Sequence, residues 1–213
     1  MENAGIKPDL ACHDLVLDAI SIAARRGDAL VIDGLTVFEK IVNAGWSPSE
    51  KSFRLVLDTC AWCCRRGRCS VAEAAAVFRQ LHSAGLLPSA ASHNAWLAVL
   101  AAAAALGKAT VQDGFNALDR MIAEEMEPDE TSFASLMAVV AGAARHGRAG
   151  IEDGERVLSR FSQHAAVGAA CPSASLVLHN ALLAVVVGVA HHGRASFQVC
   201  PQSKPLNGPQ RCA

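Results

Sequence analysis

Apolar and small residues recur at helical spacing in short segments that alternate along most of the chain. One segment carries Leu55, Cys60 and Cys63 on a single helical face, and the segment after it carries Val77 and Phe78. Both patterns return about every 40 residues. The pattern therefore predicts a repeated unit of two helices.

Proline and glycine follow the same period. Prolines followed by Asp or Ser occur at positions 8, 48, 88, 128 and 172, and glycines close the first segment of each unit at positions 27, 67, 107, 147 and 193. Glycine suits the left-handed residue that ends a helix, and proline marks where a helix cannot continue. Because so small a helix pair cannot bury its own apolar face, successive pairs must stack. We predict an all-α fold, a right-handed α-solenoid of stacked antiparallel helix pairs.

The period also divides the chain into units. These are the tail of a preceding truncated repeat at 1–7, repeats at 8–47, 48–87, 88–127 and 128–171, the first helix of a fifth repeat at 172–195, and a non-repeat tail at 196–213. We expect the tail to be disordered. The organisation indicates a piece of a longer array, or a misread gene model.

Two helix starts carry a capping box, in which a hydroxyl and an acid satisfy the free backbone N–H groups of the first turn. Ser70 and Glu73 form one such pair, and Thr110 and Asp113 form the other. Both pairs precede a second helix of the unit, which places the boundary between the two helices.

Composition narrows the function classes. The 213 residues are 52% hydrophobic and 18% charged, which excludes a disordered chain, and the net charge of -1 provides no global attraction to nucleic acid or membrane. No apolar run reaches the roughly 18 residues of a membrane span. We find no phosphate-binding glycine loop and no nucleophile with a histidine partner, so we expect no enzyme, no cofactor, no metal and no small-molecule substrate.

Four cysteines lie close together between Cys60 and Cys69, a density that also occurs in metal and redox sites. In the repeat, however, Cys60 takes the place of apolar residues, and Cys63 and Cys64 take the places of alanines. Free cysteine behaves as a small hydrophobic residue. We therefore predict reduced, buried thiols, with a metal or redox site as the alternative.

The unit junctions resemble those of pentatricopeptide repeat (PPR) proteins. The matching stretches are NAGIKPD at 3–9 and the later AGWSPS, AGLLPS and EEMEPD, together with SHNAWLAVL at the start of a first helix and VFEKI and VFRQL in second helices. The resemblance covers residues 1–193, although this unit is about five residues longer than the usual one.

The resemblance implies single-stranded RNA binding with one base per repeat, read by a first-helix residue and a residue at the next junction. The carried-over pairs are Asp14 with Ser49, Arg54 with Ser89, Asn94 with Asp129, and Ala134 with Ser173. In the family, the Asn94–Asp129 combination is associated with pyrimidines and especially uracil. Simple helix capping is the alternative role for the junction residues, and an exposed polar position is the alternative for Asn94.

Basic residues gather where first helices end. We predict backbone contacts to RNA from Arg25, Arg26, Arg65, Arg66, Lys108 and Arg145, and the same edge carries Arg68, His146, Arg148, His191, His192 and Arg194. Cations at helix C-termini also complement the helix dipole, which is the alternative interpretation.

The resemblance thus predicts an RNA-binding repeat protein of organellar RNA processing, stability or translation, located in a mitochondrion or chloroplast. The alternative is a protein–protein interaction scaffold in an organellar ribonucleoprotein. Neither hypothesis involves a membrane.

Overall fold

The computed structural model describes residues 8–83, 89–165 and 172–191, and within these ranges it contains nine α-helices and no β-strand. In chain order the helices are α1 (Leu10–Arg26), α2 (Val31–Asn43), α3 (Glu50–Arg65), α4 (Val71–Ser83), α5 (Ala90–Ala104), α6 (Val111–Ala123), α7 (Glu130–Arg145), α8 (Ile151–Ala165) and α9 (Pro172–His191).

The helices stack in two layers. The inner helices α1, α3, α5, α7 and α9 pack one on the next, and each outer helix, α2, α4, α6 or α8, packs on the inner helices before and after it. Because the inner helices make the close contacts with one another, they line the concave side of the stack. The predicted all-α solenoid is confirmed. Within the described ranges, no helix is both long and apolar enough to cross a bilayer.

The glycines that close the inner helices adopt the left-handed conformation predicted for them. Their φ angles lie between 66° and 99° at Gly27, Gly67, Gly107 and Gly147. At the first of these, the N–H of Gly27 donates to the carbonyl of Ala23 at 2.9 Å, which closes the last turn of α1. The helices α1, α3, α5 and α7 therefore stop where the sequence places their glycines, and Gly193, predicted to close the last inner helix, lies outside the described residues.

Both predicted capping boxes are present. Thr110 Oγ1 accepts the N–H of Asp113 at 3.2 Å, and the Asp113 carboxylate accepts the N–H of Thr110 at 2.8 Å. Ser70 and Glu73 make the same pair of bonds at 3.2 and 2.7 Å. These contacts fix the starts of α6 and α4.

Aromatic pairs join the two layers. Phe53 and Phe133 on inner helices are fully buried, and their rings meet Phe38 at 4.6 Å and Phe161 at 5.3 Å in edge-to-face geometry. Leu15 lies 40 residues before the buried Leu55 and so takes the same place in the repeat, yet it is 65% exposed. Its exposure arises because no described helix lies on the far side of α1.

Small residues let the later inner helices approach closely. A Cβ added at Gly142 of α7 would lie 2.7 Å from the backbone N of Ala105 and 2.8 Å from the carbonyl carbon of Ala104. A Cβ at Gly188 of α9 would lie 3.1 Å from the Cβ of Ala144. Backbone contact of this kind leaves no room for a larger side chain.

We predict that Gly142→Ala lowers the free energy of unfolding by about 1–3 kcal/mol, because the added methyl forces α5 and α7 apart. Gly34→Ala is the matched control in an outer helix, where the new Cβ meets only a Val56 methyl at 3.9 Å. That variant should gain about 0.5–1 kcal/mol from helix propensity. Urea unfolding followed by circular dichroism measures both. Equal effects of the two substitutions would contradict the packing described here.

Candidate nucleic-acid interface

Asn94 and Asp129 meet at the junction between α5 and α7. The Asn94 Nδ2 donates to Asp129 Oδ1 at 3.1 Å, and Ser132 Oγ lies 2.7 Å from Asn94 Oδ1. Asp129 is also the N-cap of α7, since its Oδ1 accepts the N–H of Ser132 at 2.8 Å. The carboxylate therefore acts as a cap and as the partner of Asn94 at once. Within the described residues, the second N–H of Asn94 and Oδ2 of Asp129 have no partner, so a donor and an acceptor lie side by side on the inner face.

The same arrangement occurs eighty residues earlier with different chemistry. Ser52 Oγ donates to Asp14 Oδ1 at 2.5 Å, and Ser49 Oγ donates to Oδ2 at 3.2 Å. The Asp14 side chain is buried, with 8% of the residue exposed. The structure thus brings the predicted pair Asp14–Ser49 together, but both carboxylate oxygens are occupied and the group presents no donor to a ligand.

The junction between α3 and α5 differs from the other two. Arg54 Nη1 donates to Asp58 Oδ2 at 3.1 Å, and Ser89 Oγ donates to the carboxylate of Glu50. No described hydrogen bond joins the predicted pair Arg54–Ser89. Ser92, the counterpart of Ser52 and Ser132, has a fully buried hydroxyl without a partner among the described residues.

The acidic group beside Arg54 is partly desolvated. Burial raises the pKa of Asp58, the Arg54 guanidinium opposes that shift, and the nearby charge of Asp18 adds to it. Arg54 therefore compensates a carboxylate of its own helix, which turns its side chain away from the junction residue.

The last predicted pair, Ala134 with Ser173, offers no described polar side chain to a ligand. Ala134 is half-buried in α7 and has no side-chain polar group. Ser173 lies in the first turn of α9, but its side chain falls outside the described residues. Sequence reasoning from the resemblance therefore locates one junction, at Asn94, with free hydrogen-bonding groups.

Several residues of the basic edge bind the preceding repeat. Arg66 Nη2 donates to the carbonyl of Arg25 at 3.0 Å, and Arg68 Nη1 donates to the carbonyl of Gly27 at 2.7 Å. Eighty residues later the contacts recur, where a ring nitrogen of His146 lies 3.0 Å from the carbonyl oxygen of Ala105 and Arg148 donates to the carbonyl of Gly107. These basic side chains contact carbonyls at the end of the helix before them and fix the register between repeats.

The other exposed arginines at this edge contact two different kinds of group. Arg145 donates its Nε to the carbonyl of Ala141 in its own helix at 3.4 Å. Arg25 and Arg65 direct their guanidinium groups at Trp62, at 5.2 and 4.9 Å from the ring centroid. Sequence reasoning missed Trp62. The only sequence feature that marks it is its size, because the corresponding positions of later inner helices hold alanine or glycine.

The cysteines are buried, as predicted. Cys60, Cys63, Cys64 and Cys69 are each at most 5% exposed, and all are free thiols. Hydrogen bonds from the Cys60 and Cys64 thiols lower the pKa of Cys69, while burial opposes that shift and raises the pKa of Cys63. Reactivity needs both thiolate and access, and burial removes access. Among the described residues, no three His, Cys, Asp or Glu side chains are grouped so that they could hold a metal ion.

Comparison with known proteins gives the fold. No protein-family model and no curated protein matches the sequence. The structure is similar to the PPR domain of Arabidopsis thaliana protein-only RNase P 1, solved in complex with tRNA, with a TM-score of 0.53 and 14% identity over 87% of this chain and 93% of that one. It also aligns with the pentatricopeptide repeat protein PPR10, solved in complex with an 18-nt psaJ RNA element, with a TM-score of 0.43 and 18% identity over 91% of this chain and 29% of that one. This chain thus spans less than a third of PPR10.

The class of fold follows from the first of these likenesses. The chain has the helical-repeat fold of PPR domains, which agrees with the resemblance seen in the junction sequences. At this level of identity the likeness establishes the fold alone.

We predict different effects for the same substitution at equivalent serines. Ser52→Ala removes the short hydrogen bond to buried Asp14 and should lower the free energy of unfolding by about 1–3 kcal/mol. Ser92→Ala removes a buried hydroxyl without a described partner, so it should be neutral or stabilising by up to about 1 kcal/mol. Urea unfolding of both variants measures the difference. A Ser92→Ala variant as destabilised as Ser52→Ala would contradict the bonding pattern.

Thiol labelling tests cysteine burial. In a chain with the three cysteines outside the described ranges changed to serine, the half-buried Cys12 should react alone with a chromogenic disulfide reagent. Its reaction should be slow at neutral pH, because the hydrogen bond with Asp9 raises the pKa of its thiol. The other four thiols should react only in urea. Adding Cys12→Ser is the control and should abolish the native reaction; several reactive native thiols would show that the cluster is accessible.

Proposed function

We propose that the chain binds single-stranded RNA along its inner helices, as a PPR-type protein of organellar RNA processing, stability or translation. Two observations support the proposal. The fold is shared with a PPR domain that was solved with tRNA, and the inner face carries a free hydrogen-bonding pair beside a basic rim. A location in a mitochondrion or chloroplast rests on the sequence resemblance. In this proposal the chain has no catalytic role and needs no cofactor.

The Asn94–Asp129 pair carries the proposal. Uracil presents a carbonyl acceptor next to its N3–H donor, and the pair presents an N–H next to a carboxylate oxygen. Cytosine presents an unprotonated N3 at the same place, which would face the carboxylate and be repelled. The pair therefore favours uracil over cytosine.

The other junctions contribute affinity more than base selection. Asp14 is saturated by two serine hydroxyls, Arg54 is held by Asp58, and Ala134 has no polar side-chain atom. Exposed cations on the rim supply sequence-independent attraction to phosphates. We therefore expect salt-dependent binding with a preference concentrated at one base.

A protein-interaction scaffold is the second candidate. The observation that favours it is the exposure of large apolar side chains on α9, where Leu176, Leu183 and Val187 are 55–63% exposed. A scaffold of this kind predicts little affinity for RNA and a definite protein partner.

Fluorescence anisotropy of the full chain with short U-rich, C-rich and A-rich RNAs tests the proposal across a salt series. The unmodified chain should prefer U, and Asn94→Ala should weaken U-rich binding about tenfold, because hydrogen bonds of this type contribute about 1–2 kcal/mol. Gln112→Ala is the matched control, since it removes an exposed amide on outer helix α6 that contacts only Asn116 within the described residues. Control binding should be unchanged.

Asp129→Asn separates base reading from capping. Asparagine caps a helix as well as aspartate does, so the free energy of unfolding should change little. An amide can also donate to N3 of cytosine, so the preference for U over C should shrink. Absence of RNA binding at low salt, or U-rich binding that is insensitive to Asn94, would overturn the proposal.

A further inference from the structure

Two guanidinium groups converge on one indole ring at the rim of the inner face. Arg25 lies in the last turn of α1, and Trp62 and Arg65 lie in the last turns of α3. The guanidinium carbons are 5.2 and 4.9 Å from the Trp62 ring centroid. Both arginines are exposed, and the indole is half-buried. The cluster therefore joins two successive repeats and is open to solvent.

The two like charges have no acidic partner among the described residues. Contact with an aromatic face offsets part of their repulsion, by roughly 0.5–1 kcal/mol for each exposed cation. A second pair of arginines on one ring in the same protein shows how carboxylates offset the repulsion that remains. Arg156 and Arg160 lie over the Phe115 ring at 4.5 and 5.2 Å, and each also binds a carboxylate.

The contrast between these pairs is informative because the geometry is nearly the same. At Phe115, on the outer side, Asp153 and Asp119 neutralise the two arginines. At Trp62 the described chain supplies the ring and both cations but no anion. A ligand that carries the negative charge would complete the second cluster as the carboxylates complete the first.

The position of the cluster is fixed by the contacts that hold repeats 1 and 2 in register. Arg66 binds the carbonyl of Arg25, and Arg68 binds the carbonyl of Gly27. Neither of these cations is free to move away from the junction without losing its acceptor. The end of α1 is thereby held beside α3, which keeps both guanidinium groups within reach of the same indole ring.

Acidic groups limit where a ligand can lie. Asp18 and Asp58 occupy the turns before the cluster on the same inner helices. Burial raises the pKa of Asp58, and the nearby charge of Asp18 adds to that shift. Arg54 compensates Asp58. An anion is therefore favoured at the rim and disfavoured further toward the middle of the inner face.

We propose that Arg25, Trp62 and Arg65 form a binding site for one phosphodiester group of single-stranded RNA. The phosphate oxygens accept hydrogen bonds from both guanidinium groups, and Trp62 is a positioning residue that orients them. The site carries no base preference, since it contacts only the backbone. This inference rests on the proposed function and adds a defined phosphate contact to it.

Anisotropy of the full chain with oligouridylate across a salt series tests the site. Arg25→Gln and Arg65→Gln should each weaken binding about fivefold at about 0.1 M salt. The double variant should lower the slope of log affinity against log salt by about 0.7, the value for one phosphate of a single strand. The matched controls are two exposed cations on outer helices, Lys40→Gln on α2 and Arg79→Gln on α4. The controls should weaken binding less than twofold.

RNA strands with one uncharged linkage show which phosphate the site binds. Oligouridylates with a single methylphosphonate, scanned along the strand, should reveal one linkage that weakens binding to the unmodified chain but not to the Arg25→Gln/Arg65→Gln chain. Trp62→Phe should weaken binding about twofold without changing the salt slope, because the cations remain but are less well oriented. Thermal unfolding of each variant shows that the fold is retained.

The outcomes separate this inference from the proposed function. If the unmodified chain binds RNA but the arginine variants match their controls, or no linkage loses its effect in the double variant, the phosphate site is wrong and RNA binding stands. If the unmodified chain binds no RNA at low salt, both are wrong.

Discussion

The structure depends on the stacking of inner helices, because no single helix pair can bury its own apolar face. Close approach makes this stack continuous, as between α5 and α7, where Gly142 lies against the backbone of Ala104 and Ala105. The outer helices then fill the grooves between neighbouring inner helices, with aromatic rings such as Phe53 and Phe133 at the contacts. That stack positions both the Asn94–Asp129 junction and the basic rim.

Polar contacts set the register of the stack and leave few hydrogen-bonding groups free for a ligand. Serine hydroxyls occupy both oxygens of Asp14, and Arg66 and Arg68 occupy carbonyls of the preceding helix. The α5–α7 junction has the same architecture, with an amide in place of the carboxylate. Because Asn94 has two amide hydrogens, it can bind its neighbour and still present a donor. Two substitutions, Asn94 in place of Asp14 and Asp129 in place of Ser49, thus separate a structural junction from a candidate binding junction.

The sequence predicts the repeat, the helix ends and the buried thiols well, because these depend on local chemistry that recurs with the period. Gly27 ends a helix wherever it lies in the stack, and Thr110 caps its own turn. The contact partners of long side chains do not follow from such local chemistry. Arg65 and Arg66 are adjacent in sequence, yet one turns to an indole and the other to a carbonyl across the junction. That choice depends on which helix lies opposite, which only the folded structure supplies.

In the proposed complex, a single RNA strand lies on the inner helices. Photo-cross-linking of the full chain to a U-rich RNA containing 4-thiouridine, followed by peptide mass spectrometry, tests it directly. We expect cross-links in peptides of α5 and α7 around the Asn94–Asp129 junction and in the last turns of α1 and α3. Cross-links confined to the outer helices α2, α4, α6 and α8, or none above the level of a non-binding control protein, would contradict it.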